Sequence, residues 1–139
     1  TVAFIAEIGE TSRYLAARND LYASVMIAQA ILESDSGQSS LSQKPSYNFF
    51  VIKGEYNGQS VTLPTWEDDG KGNPYHIDAA FRSYGSVENS LQDYVDFLEE
   101  SYYVGVHRSK TKSYKDATAA LTGVYATDIT YGDKLNSII

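Results

Sequence analysis

The chain has 139 residues, a formal net charge of −7 and a sequence pI near 4.7; it suits one compact domain and has no general electrostatic attraction for nucleic acid or anionic lipid. Its apolar share of 42% is too high for a disordered chain, and the absence of cysteine excludes disulfides and thiolate metal sites. The longest apolar stretch, residues 25–32, is interrupted by Gln29 and is far too short to span a bilayer.

Phe4, Ile5, Ile8, Ser12, Leu15 and Ala16 follow a helical period, which predicts a first helix over residues 2–18. Because the chain opens directly on this pattern, with no leader, it is expected to be cut from a longer precursor. Asn19-Asp20 ends the helix and offers a cap for the next, over residues 22–34. That second helix is apolar nearly all round (Val25, Met26, Ile27, Ala28, Ala30, Ile31, Leu32), so it is expected to lie buried in the middle of the domain.

Small polar residues over 37–45 read as a loop. Three strands are predicted next, over residues 47–53, 59–66 and 75–81, with an Asn57-Gly58 turn before the second and a dense turn cluster over 68–74 before the third. Ser86 can cap a helix that runs to about Tyr103, with Val87, Leu91, Tyr94, Val95 and Leu98 on one face. Residues 114–124 predict a short helix, and a last one starts near Tyr131. The predicted architecture is α+β and mostly helical, with a small antiparallel β-lobe over residues 47–81. One domain spans residues 1–139.

Glu33 is the residue that points most directly to chemistry. It ends the most apolar helix, where loss of solvation disfavours the charged carboxylate and raises the pKa. A carboxylic acid still protonated near neutral pH is what breakage of a glycosidic bond requires, because the leaving oxygen must receive a proton. The competing reading is a helix-terminal Glu that reaches solvent or an Arg. Tyrosine is abundant, 12 of 139 residues. Its flat apolar face and hydrogen-bonding tip suit sugar rings, but composition alone favours half-buried packing in a small domain.

The segment Gln29-Ala30-Ile31-Leu32-Glu33-Ser34, followed by Gly37-Gln38-Ser39, resembles the acid-bearing helix of bacterial N-acetylglucosaminidases of glycoside hydrolase family 73. The resemblance continues in family order through Asn48-Phe49-Phe50-Val51-Ile52-Lys53-Gly54 and Tyr56-Asn57-Gly58-Gln59-Ser60-Val61. It resumes at Ala80-Phe81-Arg82-Ser83-Tyr84 and at Tyr125-Ala126-Thr127-Asp128, then at Tyr131 and Lys134-Leu135. It implies a lysozyme-like helical fold with the β-lobe beside a substrate groove. It also implies cleavage of peptidoglycan between N-acetylglucosamine and the following N-acetylmuramic acid. Such domains commonly form the catalytic part of autolysins, secreted proteins that act on the cell wall and carry wall-binding modules elsewhere. No cofactor is implied, and no carboxylate spacing around His76 or His107 suggests a metal. A monomer is expected, with no nucleic-acid or membrane partner. The rival functions are a muramidase, a lytic transglycosylase, and a wall-binding module that has lost catalysis.

Two departures from the family pattern stand out: Asp35-Ser36 replaces a usual Gly-Trp, and Phe49 and Val51 replace a usual Leu and Gly. Asp35 is expected to raise the pKa of Glu33 further. Among Glu55, Glu67, Asp68, Asp69 and Asp78, Glu67 best matches the family's second carboxylate in the β-lobe, where it could activate water. The resemblance places Tyr125 close to the acid, able to bond the N-acetyl group or a water. Candidate substrate-binding residues are Asn48, Phe50, Trp66, Tyr84 and Tyr131, although a core role suits Phe50 and Tyr131 equally. Asp128 is expected to cap the last helix, Arg82 and Lys53 to form structural ion pairs, and His76 to be merely exposed.

Overall fold

The computed structural model describes residues 1–68 and 71–139, without the side chains of Glu67 and Asp68. Among these residues the order is α1 (Val2–Arg18), α2 (Ala23–Ser34), β1 (Ser60–Asp68), β2 (Pro74–Arg82), α3 (Val87–Phe97), α4 (Tyr114–Leu121) and α5 (Tyr131–Ile138), with short 3-10 turns at Ser40–Ser42, Ser101–Val106 and Arg108–Lys110. No described helix is long and apolar enough to cross a membrane.

Helix α2 is the hub, as its all-round apolarity predicts. Val25, Met26, Ala28, Gln29 and Ala30 are buried, and α1, α4 and α5 pack around it. From α1 come Phe4, Ile8, Leu15 and Ala16, all buried on the predicted face. Leu91, Tyr94 and Val95 of α3, with Leu121 of α4 and Leu135 of α5, complete the core. Each large apolar side chain so buried contributes about 1.5–3 kcal/mol.

Ser86 caps α3 as expected, its hydroxyl accepting from the Asn89 N–H at 3.1 Å. The helix stops at Phe97, however, well short of Tyr103. Leu98 and Tyr103 are both buried. Five residues apart on one continuous helix they would face about 140° away from each other. Extended backbone at Glu100 (ψ 143°) breaks the helix, and the 3-10 turn that follows returns Tyr103 to the core.

Asp20 does not cap α2. The residue before that helix is Tyr22, which makes no side-chain cap bond. Asp20, with φ 59°, instead accepts from the Ser109 N–H at 3.1 Å and from the Ser109 hydroxyl, tying the α1–α2 junction to the 3-10 turn. Asp128 precedes α5 and accepts from the Thr130 N–H at 2.8 Å and from Lys134. These bonds hold its carboxyl low, at about 2. It thus braces the entry to α5 from two residues before the Thr130 cap position. Of the two expected ion pairs, Arg82 meets Asp93 at 2.8 Å.

Among the described residues the β-lobe has two strands, not the three expected. β1 and β2 pair antiparallel from Ser60↔Arg82 to Asp68↔Pro74. The Asn57-Gly58 turn forms as predicted, with φ 49° and 80°, and closes the Tyr56↔Gln59 bridge. Residues 47–53 fail as a strand for a local reason. Tyr47 (φ 49°) and Val51 (φ 56°) take left-handed backbone, which no strand accommodates. Among the described residues, its one bridge to the sheet is Lys53↔Phe81, on β2.

This irregular segment is held from inside by Asn48, which is fully buried. Its Nδ2 donates to the carbonyls of Ile52 (2.9 Å) and Arg82 (3.0 Å), and its Oδ1 accepts from the Ile52 N–H (3.1 Å). With its amide spent on the backbone, Asn48 cannot bind a substrate N-acetyl group. The same turn drives Phe49 and Phe50 inward. The Phe49 ring meets the edge of Phe4, and the Phe50 ring stacks on Tyr94 at 4.1 Å.

Two outcomes are expected by chemical denaturation. Asn48→Ala, which strands buried backbone groups, should lose about 2–4 kcal/mol. Val51→Gly should gain about 0.5–1 kcal/mol, because a β-branched residue in left-handed backbone is strained and glycine is not.

Candidate active site

Glu33 lies in the last turn of α2, where three consecutive left-handed residues, Asp35 (φ 52°), Ser36 (φ 56°) and Gly37 (φ 79°), bend the chain sharply away. Ser34 staples this turn, donating to the Ala30 carbonyl at 2.6 Å and accepting from the Gly37 N–H at 2.8 Å. A side chain at Gly37 would meet the Phe4 ring at 2.6 Å, so only glycine fits. The carboxyl of Glu33 is half-buried and accepts one hydrogen bond among the described residues, from the Tyr131 hydroxyl to Oε1 at 3.0 Å.

Burial raises the pKa of Glu33, and the Tyr131 bond, which favours the ionised form, opposes the rise without cancelling it. Asp35, expected to add to this rise, is exposed at the left-handed cap, and burial is what carries the rise.

Behind the carboxylate runs a line of buried polar groups. Gln29 precedes Glu33 by four residues, so the two share a face of α2. Its Nε2 donates to the Tyr131 hydroxyl at 3.0 Å, and its Oε1 accepts from the Tyr94 hydroxyl. Sequence reasoning missed Gln29 and Tyr94 as members of the site. The available signal was the one polar interruption in the apolar run of α2.

Tyr131 and Tyr125 stack with ring centroids 6.1 Å apart and planes 10° apart. Tyr125 sits on the loop between α4 and α5, as predicted, and donates its hydroxyl proton to the Phe50 carbonyl at 2.6 Å. Burial, then the neighbouring Tyr131 and Glu33, pushes Tyr125 well above the usual phenol range, and burial with the nearby Glu33 does the same to Tyr131. They remain neutral. Beside Tyr125 opens a depression of about 260 Å³, lined by Val51, Ile52, Lys53, Phe97, Tyr103 and Tyr125. Phe97 and Tyr103 form an aromatic wall there that the sequence alone did not suggest.

Of the expected substrate-binding residues, burial removes Phe50, Tyr84 and Tyr131 from direct sugar contact, along with Asn48. Phe50 is a core ring against Tyr94. Tyr84 donates to Asp93 at 2.6 Å beneath the sheet base. Tyr131 is covered by Tyr125 and faces Glu33 with its hydroxyl only. Trp66 alone stays available: it is 64% exposed on β1, with His76 against its ring edge. Glu67 follows it in register with Tyr75, but its side chain lies outside the described residues, as do the side chain of Asp68 and the whole of Asp69. His107 bonds the Leu98 carbonyl at 2.9 Å. No three His, Cys, Asp or Glu side chains converge among the described residues.

A half-buried carboxylic acid with a tyrosine donor behind it, and an aromatic depression beside Tyr125, are parts that a glycosidase site uses. Comparison with known proteins points the same way. The chain is 50% identical over 143 residues to an autolysin of Enterococcus faecalis, covering 98% of this chain and 19% of that protein. It is 48% identical to a protein named probable N-acetylmuramidase from Lactococcus lactis, covering 99% of this chain and 32% of that one. The chain therefore spans a third or less of these relatives. The crystal structure of the catalytic domain of the autolysin Auto from Listeria monocytogenes superposes with a TM-score of 0.90 at 50% identity, covering 99% of this chain and 81% of that one. The α+β, lysozyme-like fold expected from the sequence is thus the observed one. The family described as mannosyl-glycoprotein endo-beta-N-acetylglucosaminidase matches residues 9–139, and the chain belongs to that glucosaminidase family.

Proposed function

We propose that this domain hydrolyses the glycan strand of bacterial peptidoglycan, cutting after N-acetylglucosamine and before N-acetylmuramic acid, with Glu33 as the acid. The observation that carries the reading is the half-buried Glu33, raised by burial and bonded on one oxygen by Tyr131. Such a group holds its proton at a pH where an exposed glutamate has lost it, and delivers it to the leaving oxygen as the bond breaks. Tyr125 stays protonated and donates its hydroxyl hydrogen bond to the Phe50 carbonyl. Its oxygen remains an acceptor for a substrate N–H or a water. Trp66, exposed on the hairpin, supplies a face for a sugar ring.

Glu67 is the proposed partner on the other face of the sugar, directing a water. The substrate's own N-acetyl oxygen can take that place. A product that keeps its anomeric configuration by NMR rules out direct attack by a water held at Glu67. The proposed place of action is the cell wall, outside the cell. The much longer relatives support wall-binding modules elsewhere in the full protein.

The name of the Lactococcus relative favours a second reading, cleavage of the other linkage by a muramidase. Borohydride reduction of digested peptidoglycan, followed by mass spectrometry, separates the two. New ends carrying glucosaminitol are expected. Muramitol ends alone make the domain a muramidase, and anhydro-muramic ends make it a lytic transglycosylase. Glu33→Gln, which keeps shape and removes the transferable proton, should cut the rate by about 100-fold or more. Equal rates would sink the assignment of Glu33.

The same variant has a signature in stability. The fold holds the Glu33 proton more tightly than the unfolded chain does, so this group favours folding fully below the ordinary glutamate range. That contribution is lost as pH rises through the raised value. Glu33→Gln should therefore be more stable than the parent at neutral pH, and the difference should shrink towards pH 4, measured by denaturant midpoints across pH.

A further inference from the structure

Tyr94 on α3, Gln29 and Glu33 on α2, and Tyr131 on α5 form one line of hydrogen bonds in which every donor points towards the acid. Gln29 is fully buried and Tyr94 nearly so. The only acceptor the structure offers the Tyr94 proton, among the described residues, is the Gln29 amide oxygen. That sets the amide: its oxygen faces Tyr94 and its NH2 faces Tyr131. Reversed, the amide would take the single Tyr131 proton for itself, leave the Tyr94 proton unpaired in the core, and strip Glu33 of its donor.

We propose that Gln29 is a positioning residue for the acid: its amide, oriented by Tyr94, directs the Tyr131 hydroxyl proton onto Oε1 of Glu33 and so keeps the transferable proton on Oε2. The role assigned here rests on the reading of Glu33 as the acid, whereas the hydrogen-bond line itself does not. The balance is simple. Protonated Glu33 carries its hydrogen on Oε2 while Oε1 accepts from Tyr131. After transfer, the new carboxylate keeps that same bond, so the line need not reverse. Each donor also polarises the next, strengthening the bond that stabilises the ionised product.

The groups around Glu33 are few. Tyr131 bonds it, Tyr125 lies against Tyr131, and Tyr94 and Tyr103 stand behind them. The charged residues of the packed helices, Glu7, Glu10, Arg13 and Arg18 of α1, Glu88 and Asp96 of α3, Lys115 and Asp116 of α4, and Asp133 and Lys134 of α5, are exposed; Asp93 of α3 pairs with Arg82.

The test is a titration of 13C-labelled glutamate carboxyls by NMR, with the Glu33 signal assigned by its absence in Glu33→Gln. Gln29→Met and Tyr131→Phe should both move the Glu33 titration to higher pH, because each weakens the donor to the carboxylate. Tyr94→Phe, which keeps the ring and its stack on Phe50, should move it the same way by less. The double variant Gln29→Met/Tyr131→Phe should move it no further than Tyr131→Phe alone, since Gln29 acts through Tyr131. If Gln29→Met and Tyr94→Phe both titrate as the parent, or if the double variant is additive, the proposal is overturned. Should Gln29→Met not fold, Tyr94→Phe decides alone. On peptidoglycan, kcat of Gln29→Met should fall on the order of tenfold with KM little changed. The high-pH limb should follow the NMR shift. A limb that ignores a real NMR shift would count against Glu33 as the acid while leaving the hydrogen-bond line intact.

Discussion

A helix that is apolar all round cannot sit at a surface, and the burial of α2 organises the rest of the molecule. Helices α1, α4 and α5 are arranged to cover it. Burial then confers chemistry on the residues that are not apolar. Gln29 must find hydrogen bonds inside the core, and it does so with Tyr94 and Tyr131. Glu33, at the end where the helix reaches the edge of its cover, is half-buried and holds its proton against ionisation.

The sharp turn after Ser34 serves the same end. Three left-handed residues, with Ser34 bonded both up and down the chain, stop the helix one residue beyond the acid. Three of the four departures from the family pattern sit in left-handed backbone: Asp35 and Ser36 in that turn, and Val51 in the segment 47–53. Asp tolerates left-handed backbone, whereas valine does so poorly. Val51 lines the depression beside Tyr125, so the strain lies at its rim. The preceding residue, Phe50, offers its carbonyl to Tyr125. Backbone geometry and site geometry are therefore coupled at this point.

The hairpin plays the opposite part to the core. Most of β2 is exposed, as are Trp66, Tyr75 and Ile77. Apolar side chains left open on a strand pair are faces that no packing within the described residues covers. At its base, Phe81 is buried and Arg82 is anchored to Asp93 and the Lys53 carbonyl. The lobe is thus anchored at Phe81 and Arg82 and exposed along most of β2.

The sequence by itself determined whatever depends on local period and composition. The helices α1, α2 and α5, the cap at Ser86, the Asn57-Gly58 turn and the hairpin strands follow from residue spacing, and the raised pKa of Glu33 follows from its place at the end of the most apolar helix. Tertiary structure decided whatever depends on which surfaces meet. The aromatic segment 47–53 looks like a strand because Phe and Val favour strands, yet the Asn48 amide and left-handed residues fold it inward. Asn48, Phe50, Tyr84 and Tyr131 looked like ligand contacts because polar and aromatic groups serve grooves and cores alike. Only packing tells the two apart, and it buried them. The line from Tyr94 through Gln29 and Tyr131 to Glu33 joins residues up to 102 positions apart, and no local pattern can encode a hydrogen bond between side chains that meet only when three helices close.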